Sequence, residues 1–294
     1  MRLRSSATST GISIVLAWRG NPVSNPVDQF RLDGKVAVVT GGCGVLCFAM
    51  ARFLAQSGAR VALLDIQTER AEECACEIGE QAASFYGNVL ERDSLEAAAQ
   101  QITDLWGPAD ILINCAGGNR AQATSSSDLS FFDIPPDALQ WVLNLNFVGT
   151  VLPSQVFGKQ MADRGSGVVL NVSSMSAFRP LTRIVSYSAA KAAVSNFTQW
   201  LAVHMAQEYS PDVRVNAIAP GFFLTEQNRY LLTDKDTGDL TARGQQILDH
   251  TPMARFGTPE DLLHTVLWLV SPASAFVSGI VVPVDGGFSA YSGV

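Results

Sequence analysis

From Leu32 onward the chain repeats one unit, a short run of apolar residues followed by a helical pattern. Val36-Ala37-Val38-Val39 reads as a buried strand, and Cys43 to Gln56 as a helix ended by Ser57-Gly58. Arg60 to Asp65 is the next strand, 67–79 a polar amphipathic helix, and Ser84-Phe85-Tyr86 a third strand. A helix over 92–106 closes at Gly107-Pro108 and leads to the strand Ile111-Leu112-Ile113. Residues 136–163 read as largely helical, Val168 to Val172 as a fifth strand, and 187–209 as a long helix. Val213 to Ile218, a helix over 259–270 and a last strand at Ile280 to Val284 complete the series. Strands that are apolar throughout, with no polar face, belong to a parallel sheet covered on both sides. Repeated strand–helix units require right-handed crossovers. The expectation is therefore an α/β, doubly wound parallel sheet of seven strands. No linker, repeat or low-complexity tract follows residue 32, so residues 32–294 are expected to form one domain.

Charge narrows the partners. The 27 acids outweigh 20 bases, for a net charge of −7. An acidic balance argues against nucleic acid or an anionic membrane surface as the partner. No apolar run approaches the ~18 residues of a membrane span. The charge is uneven: residues 1–32 carry Arg2, Arg4, Arg19 and Arg31 against Asp28 alone, which makes +3 and leaves −10 for the rest. Residues 1–31 read as an extension that is disordered or, being basic, Ser/Thr-rich and free of acids over its first 27 residues, a transit segment. They make a poor secretory signal, because Arg19 interrupts the apolar stretch Ile12 to Trp18 before any Ala-x-Ala site. Cys43, Cys47, Cys74, Cys76 and Cys115 show no metal spacing with His204, His250 or His264. An odd count without a framework fits a reducing compartment, and the expected location is the cytoplasm.

The turn Thr40-Gly41-Gly42-Cys43-Gly44-Val45-Leu46-Cys47 lies between the first strand and the first helix. Glycines let a backbone turn sharply and approach a pyrophosphate, which then sits on the helix N-terminus. A lone glycine-rich turn is weak evidence, but Asp65 ends the next strand, 21 residues beyond Gly44. At that distance an acid meets the ribose hydroxyls of NAD. A carboxylate there repels a 2′-phosphate, and no Arg or Lys stands in the turn or at 66–67 to attract one. NAD is expected over NADP.

Tyr187-Ser188-Ala189-Ala190-Lys191 opens the long helix. Residues at i and i+4 share a helix face, so Lys191 can stand beside Tyr187. Half-ionising a phenol at pH 7 needs a shift of ~3 units, or ~4 kcal/mol. A cation ~4 Å away at an effective dielectric of ~20 supplies about that much. Tyr187 is thus a candidate general base. Ser174, just past the fifth strand, is placed to hydrogen-bond a substrate oxygen, since ligands bind at the carboxyl edge of such sheets.

These motifs together resemble the short-chain dehydrogenase/reductases over about residues 32–294, a family with a Rossmann-type fold. The matching residues are the glycine turn, Asn114-Cys115-Ala116-Gly117, Asn146, Ser174, Tyr187, Lys191 and Pro220-Gly221 with Thr225. The resemblance implies that Tyr187 is the acid/base, that Ser174 orients the carbonyl, and that Lys191 lowers the Tyr187 pKa and holds the nicotinamide ribose. It implies that Asn146 anchors a proton-relay water. It also implies cofactor contacts from Gly41, Gly42, Gly44, Val45, Leu46, Asp65, Asn88, Val89, Asn114, Ala116, Gly117, Tyr187, Lys191, Pro220, Gly221, Phe223 and Thr225. There are departures. In ungapped register the second and third glycines of the family turn fall on Val45 and Cys47. Cys47 adds a side chain where the helix packs tightly, which puts cofactor affinity in question. Asn88 stands where many relatives have Asp.

Within that family, three stretches are similar to the D-mannonate oxidoreductases, which interconvert D-mannonate and D-fructuronate. They are Ser174 to Arg183, Gly221 to Arg229 and Asp285 to Tyr291. Arg179, Arg183 and Arg229 suit a sugar-acid carboxylate, because a guanidinium binds carboxylate in a bidentate fork. Asn119, Arg120 and Asn228 suit its hydroxyls, and Met175 completes the candidate substrate set. Some of these arginines can equally make ion pairs or subunit contacts. Residues 222–256 are expected to form a substrate loop, and the family implies a homo-oligomer, a dimer or tetramer. The competing functions are the same chemistry on another polyol, sugar or ketone, and a non-catalytic NAD-binding regulator.

Overall fold

A computed structural model describes residues 25–224, 232–234 and 237–293 of the chain. Most of the N-terminal extension lies outside the described residues, as do Thr225, Asn228 and Arg229. The strands are β1 (Val36–Thr40), β2 (Arg60–Asp65), β3 (Ala82–Tyr86), β4 (Ile111–Asn114), β5 (Gly167–Val172), β6 (Val213–Pro220) and β7 (Val281–Val284). The helices that frame the site are α1 (Val45–Gln56), α2 (Thr68–Ile78), α3 (Arg92–Trp106), α4 (Pro136–Leu143), α5 (Gly149–Arg164), α6 (Val185–Glu208), α7 (Ala242–Asp249) and α8 (Glu260–Val270).

The seven strands form one sheet in the order β3-β2-β1-β4-β5-β6-β7, and every pairing is parallel. The chain steps outward from β1 to β3, then returns to pair β4 beside β1. That reversal sets Thr40 level with Asn114 and Asn114 level with Asn171. Connections leaving β1 and β4 depart to opposite faces at such a point and open a crevice at the carboxyl edge.

The apolar strands bury both faces, as their composition demands. Ala37 and Val39 join Met50, Leu54, Leu262 and Val266 in the core under α1 and α8. Val36 and Val38 point the other way, to Leu95, Ile102, Phe157, Met161 and Leu201 of α3, α5 and α6. Burying each such Leu or Val contributes about 1.5–3 kcal/mol before entropy is counted. The expected doubly wound sheet is the one observed.

Three details differ from the sequence reading. The expected single helix over 136–163 is two, because Asn144–Val148 forms a π-turn between α4 and α5. Such bulges re-aim side chains and cluster at functional sites. Inside 222–256 stands α7, capped by the Thr241 side chain accepting from the Gly244 N–H. The cysteines are the third. Cys47 and Cys115 form a disulfide across 68 residues, with Cα atoms 6.1 Å apart, against the expectation of no cysteine pairing. Spacing along the chain could not foresee it, because the β1–β4 pairing is what brings the two together. Cys43, Cys74 and Cys76 remain free.

Candidate active site

At the reversal of strand order lies a cavity of ≈ 520 Å³, running from Asp65 at one end to Tyr187 at the other. Gly41 turns the chain at its floor with φ +63°, a conformation that disfavours side chains. A Cβ there would also stand 2.8 Å from the Ala116 Cα, so β1 and the β4 end approach as closely as glycine permits. Gly42 does not line the cavity but packs on Leu63, which its own Cβ would strike at 2.9 Å. Gly44 caps α1 in extended geometry, with no side-chain capping bond and no acid in the first turn. The first N–H groups of α1 therefore lack a side-chain acceptor, and a helix start of this kind receives anions. Val45 and Leu46 line the same wall.

Asp65 ends β2, almost fully buried. Its Oδ2 accepts from the Cys43 N–H at 3.2 Å and its Oδ1 from the Gln67 N–H at 3.1 Å. These bonds aim the carboxylate at the cavity, where its lining neighbours Ile66 and Gln67 carry no positive charge. Asn88 and Val89 continue this rim. The Asn88 side chain is engaged locally, donating to Glu91 Oε1 at 2.7 Å and accepting from the Leu90 N–H.

The opposite wall is built by β4, β5 and β6. Ala116 and Gly117 line the cavity, whereas Asn114 sits behind them in the sheet. Asn114 Nδ2 donates to Asn171 and Ser154, and Asn171 donates to Thr198 of α6, which pins α6 to the strand ends. Pro220, Gly221 and Phe223 close the cavity from the β6 end.

Ser174, Tyr187 and Lys191 meet here. Ser174 caps the short turn after β5, its hydroxyl accepting from the Ser176 N–H at 3.2 Å, and it hydrogen-bonds the Tyr187 phenol. Lys191 Nζ donates to the Val172 carbonyl at 2.8 Å and lies 5.7 Å from the centre of the Tyr187 ring. Asn146, delivered by the π-turn, is fully buried behind Gly117. Its Oδ1 accepts from the Gly118 N–H, and its Nδ2 donates to the Gly118 and Val142 carbonyls. A Cβ on Gly117 would fall 2.7 Å from Asn146 Oδ1 and 3.3 Å from Lys191 Nζ, so only glycine lets these two groups converge.

Electrostatics modify the sequence argument. Burial pushes the Tyr187 phenol above its ordinary value, offset in part by the Ser174 hydrogen bond. Burial also lowers Lys191 to about 8. Desolvation disfavours charge on both, and here it outweighs the attraction expected to lower Tyr187.

The candidate substrate residues are dispersed. Asn119 donates to Thr124, and Arg120 stacks over Trp141. Met175 is buried, and Arg179 donates to the Ser289 carbonyl. Arg183 lines a second cavity of ≈ 490 Å³ with Ser125, Ser176 and Ser188. None of these five lines the cavity that holds Tyr187. The sequence reading missed Leu145, Ile66, Phe222 and the Cys47–Cys115 pair, all of which line it. Cys47 and Cys115 stand inside the glycine turn and the Asn-x-Ala-Gly segment, but only the β1–β4 pairing brings them together.

The family model for short chain dehydrogenases matches residues 35–236. The chain belongs to that family. Its seven-stranded parallel sheet is that of an oxidoreductase of this kind. This dehydrogenase is 50% identical over 276 residues to an uncharacterized oxidoreductase UxuB of Bacillus subtilis, covering 90% of this chain and 98% of that one. A solved Haemophilus influenzae structure with bound NAD, provisionally assigned as a D-mannonate oxidoreductase, is 46% identical. It superposes with a TM-score of 0.85 over 92% of this chain and 100% of that one. A gluconate 5-dehydrogenase of Burkholderia cenocepacia, solved with NADP and tartrate, is 30% identical with a TM-score of 0.80, over 91% and 100% of the two chains. Both nicotinamide cofactors thus occur among its relatives.

Proposed function

We propose that this dehydrogenase interconverts a secondary alcohol and a ketone on a sugar acid, D-mannonate and D-fructuronate, using NAD(H). The observation that carries the reading is the convergence of Ser174, Tyr187 and Lys191 at one end of a cavity whose other end presents the Asp65 carboxylate. The residues fit a dinucleotide: Gly41 admits close backbone approach, the α1 start offers uncapped N–H donors, and Asp65 suits ribose hydroxyls while opposing a 2′-phosphate. NAD is favoured on that ground, and the NAD found in the Haemophilus relative supports it.

When bound, the nicotinamide takes up or supplies the hydride. Every proton is handled by the chain itself. In oxidation the Tyr187 oxygen accepts the substrate hydroxyl proton, and in reduction it returns one to the developing alkoxide. The Ser174 hydroxyl donates to the same substrate oxygen and fixes the carbonyl carbon in place. With its pKa near 8, Lys191 stays mostly cationic at pH 7 and opposes the cost of a buried phenolate. Asn146, held by Gly118 and Val142, fixes the backbone beside which Lys191 lies, and its part in a proton-relay water rests on the family resemblance alone.

The sugar-acid part rests on the likeness to the Haemophilus and Burkholderia structures and on the arginines of the 175–229 region. The carboxylate is assigned to Arg179, Arg183 and Arg229, of which Arg229 lies outside the described residues, and 222–256 is the proposed substrate loop. Phe197, Trp200 and His204 stack along α6 with Tyr209 edge-on just past its end, and the exposure of Trp200 and Tyr209 supports assembly into a homo-oligomer. Among the described residues no helix is long and apolar enough to cross a membrane. A cytoplasmic enzyme is the reading adopted. The deciding assay follows NADH consumption with D-fructuronate: turnover supports the proposal, whereas turnover of another ketone with none of D-fructuronate overturns its substrate.

A further inference from the structure

We propose that Cys47 and Cys115 form a reversible thiol–disulfide site in the wall of the dinucleotide cavity, and that its oxidation state and cofactor occupancy control one another. The inference rests on the dinucleotide part of the reading above and not on the sugar acid. The bond joins the first turn of α1 to the residue after β4. Both segments belong to the lining of the cavity that fits a dinucleotide. Both cysteines line the cavity, so whatever fills it covers the bond, and a reductant must enter by the same opening. A Cα separation of 6.1 Å is within the range a disulfide spans without moving the backbone.

The other cysteines do not compete for the bridge. Cys43 is raised by burial, by the Asp65 charge and by contacts with Asp65 and Cys74. Cys74 is raised by burial in turn. Both therefore remain thiols, and a thiol does not attack a disulfide as its thiolate would. Cys76 is exposed on α2 and does not line the cavity.

The exchange is balanced by a dithiol reductant. Its first thiolate attacks one bridge sulfur, forms a mixed disulfide and releases the other sulfur as a thiolate that takes up a proton. Its second thiol displaces the first sulfur, leaving two protein thiols and one oxidised reductant. In a reducing compartment such a bond is transient by nature, as redox-sensing disulfides are. Closed, it holds the α1 start against the β4 end, so the cavity needs less ordering when a ligand enters. Linkage then requires that the factor by which the bridge tightens binding is the factor by which the ligand protects the bridge.

The test uses the full chain and NADH. Protein equilibrated with oxidised glutathione, quenched in acid and denatured should show the loss of two hydrogens for an internal bridge, apart from any glutathione adduct on Cys76, and five thiols after dithiothreitol. NADH fluorescence titration should give a Kd about tenfold lower for the oxidised form, within the usual range of coupling. Saturating NADH should raise the ratio of reduced to oxidised dithiothreitol needed for half-reduction, read as the gain of two hydrogens in mass, by about the same factor. Cys115→Ser should abolish the redox dependence of NADH affinity, whereas Cys76→Ser should lose one thiol and keep it. Because the two wild-type forms are compared directly, the result stands even if Cys115→Ser does not fold. No internal bridge in any oxidised sample, or equal NADH affinity of the two forms with a half-reduction ratio that NADH leaves unchanged, overturns the proposal. NADH binding to neither form overturns the cofactor reading and the coupling with it.

Discussion

The two ends of the carboxyl edge are built from different materials. The Asp65 end is made of strand termini and main chain: Gly41 against Ala116, the uncapped start of α1, and one carboxylate held by two backbone N–H groups. The end proposed for substrate is made of side chains on excursions after β4 and β5, and Asn119, Arg120 and Arg179 there already have other contacts. Arg179 holds the C-terminal segment through Ser289, and Arg120 covers Trp141. A backbone cradle is fixed by the topology that makes the sheet, so it accepts any ligand of the right shape and charge. A pocket of long side chains is set by loop conformation and can change specificity without touching the fold.

The largest effect expected from breaking this contrast lies where the two ends meet. Tyr187→Phe should lower kcat by about 10³-fold, the scale of a lost general acid/base, while NADH titration shows unchanged affinity. A parallel loss of NADH binding would place Tyr187 in the cradle and not in the chemistry. At the backbone end, Gly41→Ala combines φ +63° with a Cβ 2.8 Å from main chain. It should cost about 3 kcal/mol in urea denaturation and weaken NADH binding.

Asp65→Ser keeps an acceptor for the Cys43 N–H but removes the charge. NADH affinity should fall about 30-fold with little change for NADPH, as expected for losing charge-assisted bonds to a ribose. An equal loss for both would mean that Asp65 only holds the turn. Lys191 offers a test by pH. Its value in the fold is about 8, against 10.5 when solvated. Between those values the unfolded chain binds more protons, so this group makes stability rise with pH across that window, and its full cost is present below 8. Lys191→Met should therefore be more stable than wild type at pH 7 by about 2 kcal/mol, an advantage that shrinks as pH rises past 8, while activity is lost. Chemical denaturation at the two pH values checks it. The smallest effect is at the substrate end. Arg183 holds φ 75°, so Arg183→Gly should not destabilise the fold. It should raise the KM for a sugar acid by about tenfold and leave NADH affinity alone, the loss expected of one charged hydrogen bond.

The sheet and most of its strands were legible in the residues because a strand covered on both faces must be apolar along its whole length. The glycine turn and Asp65 were legible because they use one crossover, where distance along the chain stands for distance in space. Tyr187 and Lys191 were legible because one helix turn sets their spacing. Other features had no such short-range signature. The π-turn that delivers Asn146 interrupts what reads as one helical stretch, and α7 is short and mostly polar.

Local periodicity and spacing by themselves thus determined the doubly wound class, the glycine turn before α1 and the Tyr187–Lys191 pair, since each depends on contacts within one or two elements. Only the tertiary structure decided the disulfide between Cys47 and Cys115, the closure of Asn146 and Lys191 around Gly117, and the rise of the Tyr187 pKa. The pairing of β1 with β4 brings distant segments together, and the depth at which a charge is buried depends on every element packed around it.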